Sequence, residues 1–426
     1  MTGLLDGLVA AVLAILWNLW IASRIRRTIP GAEGQFLTKV YFWALGFRYV
    51  GAIFLNAYAG DSVFADTFWG DSSTYDYGGY LLALGWSGET FVVPHAMRAV
   101  SGYGFQYFVG AIYYIFGRNQ LLVQFLNGTI GGLSIIIIYS IARHLYDSKA
   151  ARWAALFMAF FPQMIFWSCA MYKDPSILFC IALCMFAVLK LRERFTFAHV
   201  ALFISTSLAL MSLRFYIFYM VAFATLGTFL FAQRRGLFGS LLAQIALVAV
   251  FIGALTFGVR TETIEEQTAY FDLGKLQNAR MGQTMLGKSA FGGEINVSTP
   301  TGALSALPIG LAYLLFAPFP WAISGLRQLL TLPETLAWYA LMPSLWRGLR
   351  FTLRERFRAA LPILVFATTL TVAYAIFQSN VGTAYRQRTQ ITMFFFILMG
   401  VGIEERRRGR DRLRVSGPGP VPAWQR

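Results

Sequence analysis

The chain has 426 residues, of which 57% are hydrophobic and only 13% are charged. Soluble domains contain roughly 45–50% apolar and about 25% charged residues, so this composition excludes a soluble globular protein. The net charge of +16 would favour nucleic-acid binding in a soluble protein. Here the arginines cluster between apolar runs, as in the positive-inside pattern, so we expect a lipid bilayer and no nucleic acid as partner.

Apolar runs long enough to cross a hydrocarbon core as helices follow one another along the chain. The sequence therefore predicts an all-α polytopic membrane protein with about eleven transmembrane helices. Basic clusters fall on every second connection, which places the N-terminus outside and the C-terminus in the cytoplasm. The predicted spans are 4–22, 37–57, 120–142, 153–171, 174–190, 197–212, 215–232, 237–257, 332–346, 360–378 and 389–403.

The remaining segments define the predicted organisation. Residues 1–404 form a single transmembrane domain with two long outer loops, 58–119 and 258–331, that carry short interfacial helices. Within the second loop the apolar stretch 307–323 contains APFPW, whose prolines break a helix, so we expect a re-entrant or interfacial segment. The glycine-containing second loop is expected to cover the site, or else to be a plain connector. The basic tail, 405–426, is expected to be disordered in the cytoplasm.

The first outer loop is the strongest candidate for a catalytic carboxylate. It contains the aspartates Asp71 and Asp76, and the aromatic residues Phe68, Trp69 and Tyr75 flank Asp71. A carboxylate beside a membrane surface suits a general base that removes a proton from a hydroxyl group. The alternative is structural, because an aspartate before Ser-Ser-Thr-Tyr is also a good helix N-cap.

Four cations lie at outer helix ends, where the positive-inside pattern gives no reason for them: Lys173, Arg214, Arg386 and Arg388. If the helix bundle gathers them, they form an anion site at the lipid–water boundary, and guanidinium groups match phosphate oxygens. The alternatives are a snorkelling lysine and scattered interfacial cations. Asp174 precedes Pro175, a pattern typical of a helix cap followed by its first turn.

A carboxylate loop that faces phosphate-binding cations indicates transfer from a lipid-linked phosphosugar. The carboxylate removes the proton of the acceptor hydroxyl, and the cations stabilise the phosphate that leaves the anomeric carbon. We expect the sugar or the acceptor to contact Tyr75, Asp174 and Tyr385.

At these residues the chain resembles the polyprenyl-phosphate-dependent glycosyltransferases of the GT-C fold. That group includes bacterial relatives of the protein O-mannosyltransferases and of lipid A aminoarabinose transferase. The resemblance covers roughly residues 58–404. It rests on the order of five features: Trp69-Gly70-Asp71 with Tyr75, YYIFGRNQLLVQFLN, FFPQMIFWSCAMYKDPSILF, APFPW and GTAYRQR.

The resemblance implies a function at the outer face of a bacterial plasma membrane. It implies Asp71 as the base, with Asp76 as second choice, and a polyprenyl-phosphate-linked sugar as donor. The acceptor is left open as a lipid, a glycan or a protein. The family usually has a paired Asp-Glu where this chain has Asp71-Ser72. No cofactor is certain as a result, and the need for a divalent cation stays open.

Two other functions compete with an inverting transferase of this kind. A polysaccharide polymerase or ligase that joins pyrophosphate-linked glycans would also use arginines on the outer face. A transporter or lipid flippase would show related halves and ionisable residues at the midplane. The sequence shows no internal repeat, and its charges lie at helix ends.

Overall fold

The structure is a computed structural model that describes residues 4–58, 70–89, 103–230, 272–286, 289–323 and 326–415. In these ranges it contains fifteen α-helices and one isolated β-bridge, between Ala290 and Asn380. The helices are α1 (Leu4–Thr28), α2 (Ala32–Tyr58), α3 (Gly70–Trp86), α4 (Tyr103–Phe116), α5 (Gln120–Leu145), α6 (Ser148–Phe160), α7 (Pro162–Cys169), α8 (Asp174–Glu193), α9 (Phe197–Leu230), α10 (Leu273–Leu286), α11 (Pro300–Phe316), α12 (Leu326–Leu330), α13 (Leu332–Glu355), α14 (Phe357–Phe377) and α15 (Val381–Val415).

The helical membrane fold predicted from the sequence is confirmed in the described residues. Six of these helices are long and apolar enough to cross a membrane: α1, α2, α5, α8, α9 and α14. The predicted spans 332–346 and 389–403 lie within α13 and α15, and 237–257 lies outside the described residues. The predicted spans 197–212 and 215–232 lie on either side of a kink in α9, where the backbone of Arg214 is non-helical, and residues 231–232 lie outside the described residues.

The predicted span 153–171 is divided into α6 and α7 at Phe161. Pro162 causes the break, because it has no N–H to donate to the carbonyl of Met158. The fully buried Arg48 of α2 supplies the missing donors, binding the carbonyls of Met158 at 3.3 Å and Ala159 at 3.1 Å. A guanidinium from a neighbouring helix thus closes an open helix end inside the bundle.

Glycines allow α13 and α15 to pack with their backbones in contact. A Cβ atom on Gly348 would lie 1.8 Å from the carbonyl oxygen of Leu398, and one on Gly402 would lie 1.9 Å from that of Ser344. Such small-residue contacts are typical of close helix pairs in membranes. They fix how α15 is rotated about its axis, and α15 carries Arg386 and Arg388.

The segment 307–323 is helical as far as Phe316, where α11 ends before Pro318. Gly310 lies against the carbonyl of Ala375, close to the end of α14. The carbonyls of Leu315 and Ala317 accept hydrogen bonds from Arg388, close to the start of α15. Helix α11 thus packs beside the end of α14 and the start of α15. This arrangement fits the re-entrant or interfacial path, which stays a prediction.

Helix α15 continues through residues 405–415 of the basic tail, and the expected disorder of the tail stays a prediction for residues 416–426, which lie outside the described residues. Arg407 pairs with Glu404 and Arg408 with Glu405, each one helical turn apart. Arg408 also pairs with Asp147. Ion pairs at this spacing stabilise a helix that extends beyond the apolar bundle.

Candidate active site

Asp71 lies in the first turn of α3 and points towards the helix bundle. The helix begins at Gly70, so Asp71 follows the capping position and does not occupy it. Its side chain is 54% exposed and forms an ion pair with Arg386. Phe68 and Trp69, which precede it in the sequence, lie outside the described residues.

Lys173 and Asp174 lie where α7 and α8 meet. Helix α8 begins at Asp174, with Pro175 in its first turn, and the capping position belongs to Lys173, which makes no capping bond through its side chain. The cap is thus one residue earlier than the sequence indicated. This leaves the carboxylate of Asp174, which is completely buried, free to bind cations from other helices.

Arg386 connects the two carboxylates. It donates to Oδ2 of Asp174 through Nε at 2.8 Å and through Nη2 at 2.6 Å, and Nη1 lies 2.5 Å from Oδ2 of Asp71. The ring of Tyr172 is 4.4 Å from the guanidinium carbon, and the ring of Trp167 is 5.3 Å from it. Two carboxylates and two aromatic faces therefore hold one arginine in a fixed position.

Arg214 and Lys173 complete the cluster. The backbone at Arg214 is non-helical, and Nη2 lies 3.9 Å from Oδ1 of Asp174. Nζ of Lys173 lies 5.9 Å from the ring centroid of Tyr75. Burial, together with the charges of Arg214 and Arg386, lowers the pKa of Lys173 to about 8, although Asp174 and Asp71 act in the opposite direction.

We call Asp71, Lys173, Asp174, Arg214 and Arg386 the outer cluster. Its three cations outnumber its two carboxylates, so it carries one excess positive charge while Lys173 is protonated. Within the described residues, Oδ1 of Asp174 and Nη1 of Arg214 are buried without a hydrogen-bond partner. Buried polar atoms are normally paired, so the cluster has spare capacity for a polar, anionic ligand.

The structure does not bring Arg388 into the outer cluster, which corrects the expected four-cation site. Successive residues of a helix are about 100° apart, so Arg386 and Arg388 project to nearly opposite sides of α15. Nη1 of Arg388 donates to the carbonyls of Leu315 and Ala317 at 3.1 Å each. The Trp338 ring lies 5.2 Å from its guanidinium carbon. Arg388 therefore binds the end of α11.

Tyr385 also lies on the far side of α15, which corrects its expected contact with sugar or acceptor. Its ring centroid is 5.2 Å from the guanidinium of Arg388, and its side chain interacts electrostatically with that of Glu334. Glu334 was missed by the sequence analysis. The signal was present, because a carboxylate within an apolar membrane run marks a specific interaction.

Asp76 has a different environment from Asp71, although both lie on α3. Its buried carboxylate accepts a hydrogen bond of 2.6 Å from the hydroxyl of Tyr113 and pairs with Arg118. The five-residue spacing rotates Asp76 by about 140° from Asp71. Asp76 is thus the anchor that holds α3 against the junction of α4 and α5. Its expected role as an alternative base does not fit this position.

Tyr75 does lie at the edge of the outer cluster. Its side chain is buried beside Lys173 and packs edge-on against Phe105, with ring centroids 5.1 Å apart. Its contact with sugar or acceptor stays a prediction.

A divalent cation does not fit between the two carboxylates of the outer cluster. Both already bind the guanidinium of Arg386, which a metal ion would have to displace. Elsewhere in the described part of the chain, no group of three or more His, Cys, Asp or Glu side chains could hold a metal ion.

Comparison with known proteins agrees with the resemblance seen in the sequence. Residues 101–259 match the family described as dolichyl-phosphate-mannose-protein mannosyltransferase. The matched region includes Lys173, Asp174 and Arg214 of the outer cluster. The match confirms the resemblance to GT-C glycosyltransferases over this part of the chain, and the six long apolar helices support the multi-pass membrane character.

Two solved structures of similar proteins come from Archaeoglobus fulgidus. The apo oligosaccharyltransferase is 13% identical, with a TM-score of 0.49 over 90% of this chain and 53% of its own length. The oligosaccharyltransferase AglB, in complex with an inhibitory peptide and a dolichol-phosphate, is 12% identical, with a TM-score of 0.48 and the same coverage of both chains. The chain thus spans about half the length of these proteins. No curated protein matches it significantly.

Proposed function

We propose that the chain is an inverting GT-C glycosyltransferase that uses a polyprenyl-phosphate-linked sugar at the outer face of a bacterial plasma membrane. The observation that carries this proposal is the position of Arg386 between an exposed and a buried carboxylate, with Lys173 and Arg214 beside it. The family match supports a phosphate-linked lipid donor, since the family is described by one.

The cations of the outer cluster bind the donor phosphate. Lys173 precedes α8, Arg214 lies at the kink in α9 and Arg386 lies near the start of α15. A phosphate can meet them there while its lipid tail stays in hydrocarbon. Asp174 holds Arg386 and Arg214 in place from the buried side of the outer cluster. Because Asp174 is completely buried, it serves as a positioning residue that does not meet the acceptor.

Asp71 is the proposed base. The acceptor hydroxyl oxygen attacks the anomeric carbon from the face opposite the phosphate, and its proton passes to the Asp71 carboxylate. The bond between the anomeric carbon and the phosphate oxygen breaks, and polyprenyl phosphate leaves with the electron pair. The positive charges beside the leaving phosphate stabilise the transition state. A single displacement of this kind inverts the configuration at the anomeric carbon.

The ion pair between Arg386 and Asp71 sets the order of events. Nη1 of Arg386 donates to Oδ2 of Asp71, the oxygen that would accept the proton. A donor phosphate competes for the same nitrogen and releases the carboxylate. Nε and Nη2 remain bound to Asp174, so the arginine keeps its position during the exchange. Donor binding therefore precedes activation of the acceptor.

The direct test follows a labelled sugar in membranes that contain the protein. Polyprenyl-phosphate sugars labelled in the sugar are supplied, and transfer into endogenous acceptors is measured. We expect transfer with the wild-type protein and loss of transfer with Asp71→Asn. The matched control is Asp272→Asn, because Asp272 caps the start of α10 through Gly274 and asparagine caps equally well. Equal transfer by Asp71→Asn and wild type would refute the proposed role of Asp71.

A further inference from the structure

The second outer loop is attached to the turn between α14 and α15. Arg280 of α10, only 3% exposed, is its main anchor. Nη1 donates to the carbonyl of Ile376 and, at 3.1 Å, to that of Gln378, while Nη2 donates to the carbonyl of Gly292 at 2.9 Å. All three acceptors are backbone carbonyls, and two of them lie where α14 ends. The guanidinium of Arg280 thus joins α10, the segment at Gly292 and the end of α14.

Further hydrogen bonds hold Ser379 in the turn and Val381 at the start of α15. The N–H of Phe291 donates to the carbonyl of Ser379 at 2.8 Å, and the N–H of Val381 donates to that of Ser289 at 2.9 Å. Oγ of Ser379 donates to the carbonyl of Arg280 itself at 2.9 Å. The described part of the second outer loop is therefore bound firmly to the first residue of α15.

This attachment lies close to Arg386 along the chain. Helix α15 begins at Val381, five residues earlier, which is about 7.5 Å along a helix. A second route is shorter: the side chain of Gln378, whose carbonyl Arg280 holds, donates to the side chain of Gln387, the residue after Arg386. Any movement of the turn is thus transmitted to the arginine that binds Asp71 and Asp174.

We propose that Arg280 is a positioning residue for Arg386. By fixing the carbonyls at the end of α14, Arg280 sets the height and tilt of the first turns of α15, and hence the place of Arg386 between its two carboxylates. Lysine cannot replace it fully, because a single ammonium group cannot present the planar donors that reach three carbonyls on two segments. Only the ligand-binding part of this inference rests on the proposed function.

The first experiment needs no ligand. Hydrogen–deuterium exchange of the amides of residues 384–387 is measured in nanodiscs for the wild type, Arg280→Met and Arg280→Lys. The matched control is Arg192→Met, because Arg192 donates to the carbonyl of Ala359 at the opposite end of α14. We expect exchange about tenfold faster in Arg280→Met, a smaller increase in Arg280→Lys and no change at these amides in Arg192→Met. Unchanged exchange in both Arg280 variants would overturn the inference, and Arg280→Lys decides if Arg280→Met does not fold.

The second experiment separates positioning from a general loss of structure. Binding of a polyprenyl monophosphate is measured for Arg280→Met, Arg386→Ala and the double variant. If Arg280 acts through Arg386, Arg280→Met weakens lipid binding about tenfold when Arg386 is present. The same substitution has little effect when Arg386 is already replaced by alanine. Equal losses in both backgrounds would overturn the positioning role. If the wild type does not bind the lipid at all, the proposed function fails, and the exchange experiment still decides the role of Arg280.

Discussion

Arg386 binds the completely buried carboxylate of Asp174 through two of its nitrogens and the half-exposed carboxylate of Asp71 through the third. The two aspartates therefore share one cation but differ in access to solvent. This difference assigns them separate roles, and each role can be tested by a substitution that removes charge but keeps shape.

Asp174→Asn is expected to destabilise the fold. It leaves Arg386 and Arg214, both largely buried, without their shared counter-charge. Removing one partner of a buried pair costs about 3–5 kcal/mol. The thermal unfolding midpoint in detergent measures this loss. Asp71→Asn is the control, with an expected cost of about 1 kcal/mol or less because the pair is partly exposed. Equal midpoints for the two variants would contradict the assigned roles.

Asp71→Asn is expected to lower the transfer rate by roughly 10²–10⁴-fold, the usual contribution of a general base. Lipid phosphate binding should persist or strengthen, because the carboxylate that competes for Nη1 of Arg386 is neutralised. Transfer rate and binding of a polyprenyl monophosphate are measured on the same preparation. Loss of binding together with loss of rate would assign Asp71 to donor binding and not to proton transfer.

Arg386→Lys is expected to weaken donor binding about tenfold or more, since a charge-assisted hydrogen bond contributes about 1.5–3 kcal/mol. Arg388→Lys serves as the matched control, two residues away on the other side of α15. It should lower the unfolding midpoint, because Arg388 holds the carbonyls at the end of α11, but leave donor affinity unchanged. A loss of affinity in Arg388→Lys equal to that in Arg386→Lys would restore the four-cation site.

The pKa of Lys173, about 8, predicts a pH dependence of donor binding. Below that pH the lysine is charged and attracts the phosphate, so affinity is expected to fall as the pH rises above 8. Bound phosphate raises the pKa of the lysine, so the fall ends at a higher pH in the complex. The affinity measured between pH 7 and pH 10 should become flat in Lys173→Met.

The lowered pKa of Lys173 also makes the free energy of unfolding depend on pH, in the direction opposite to donor affinity. Because the pKa of Lys173 lies below its ordinary value of 10.5, the unfolded chain binds more protons between these two values, and stability without donor rises with pH. An affinity that falls in Lys173→Met as steeply as in the wild type would assign the pH dependence to another group.

The orientation predicted from the basic clusters can be tested by cysteine labelling in a cysteine-free background. Asp71→Cys and Glu266→Cys should react with an impermeant reagent from outside, and Arg354→Cys should not. The three natural cysteines are buried in the structure, which favours their replacement by small residues. Labelling of Arg354→Cys without labelling of Asp71→Cys would reverse the orientation and place the outer cluster in the cytoplasm.

The sequence predicted which helix ends meet, because residues at the outer ends of membrane helices share one narrow layer. Asp71, Lys173, Asp174, Arg214 and Arg386 come from four distant parts of the chain, and the structure places them together. Their height in the membrane follows from the apolar runs alone.

The rotation of each helix about its axis could not be predicted in the same way. That rotation separates Arg386 from Arg388 and Asp71 from Asp76, and tertiary packing decides it. For α15 the packing depends on the close contact at Gly402. The aromatic residues Trp167 and Tyr172 were missed for the same reason, since apolar sequence does not show which ring faces a cation.

The guanidinium of Arg48 has a consequence for the biogenesis of the protein. Helix α2 is synthesised before α6, so Arg48 enters the membrane before the carbonyls of Met158 and Ala159 exist. An arginine in hydrocarbon without its partners is unfavourable, and this cost falls once α6 is inserted and ends at Phe160, before Pro162. The segments from α2 to α6 therefore gain stability in the bilayer as a unit, and the proline that shortens α6 is part of what allows α2 to remain inserted.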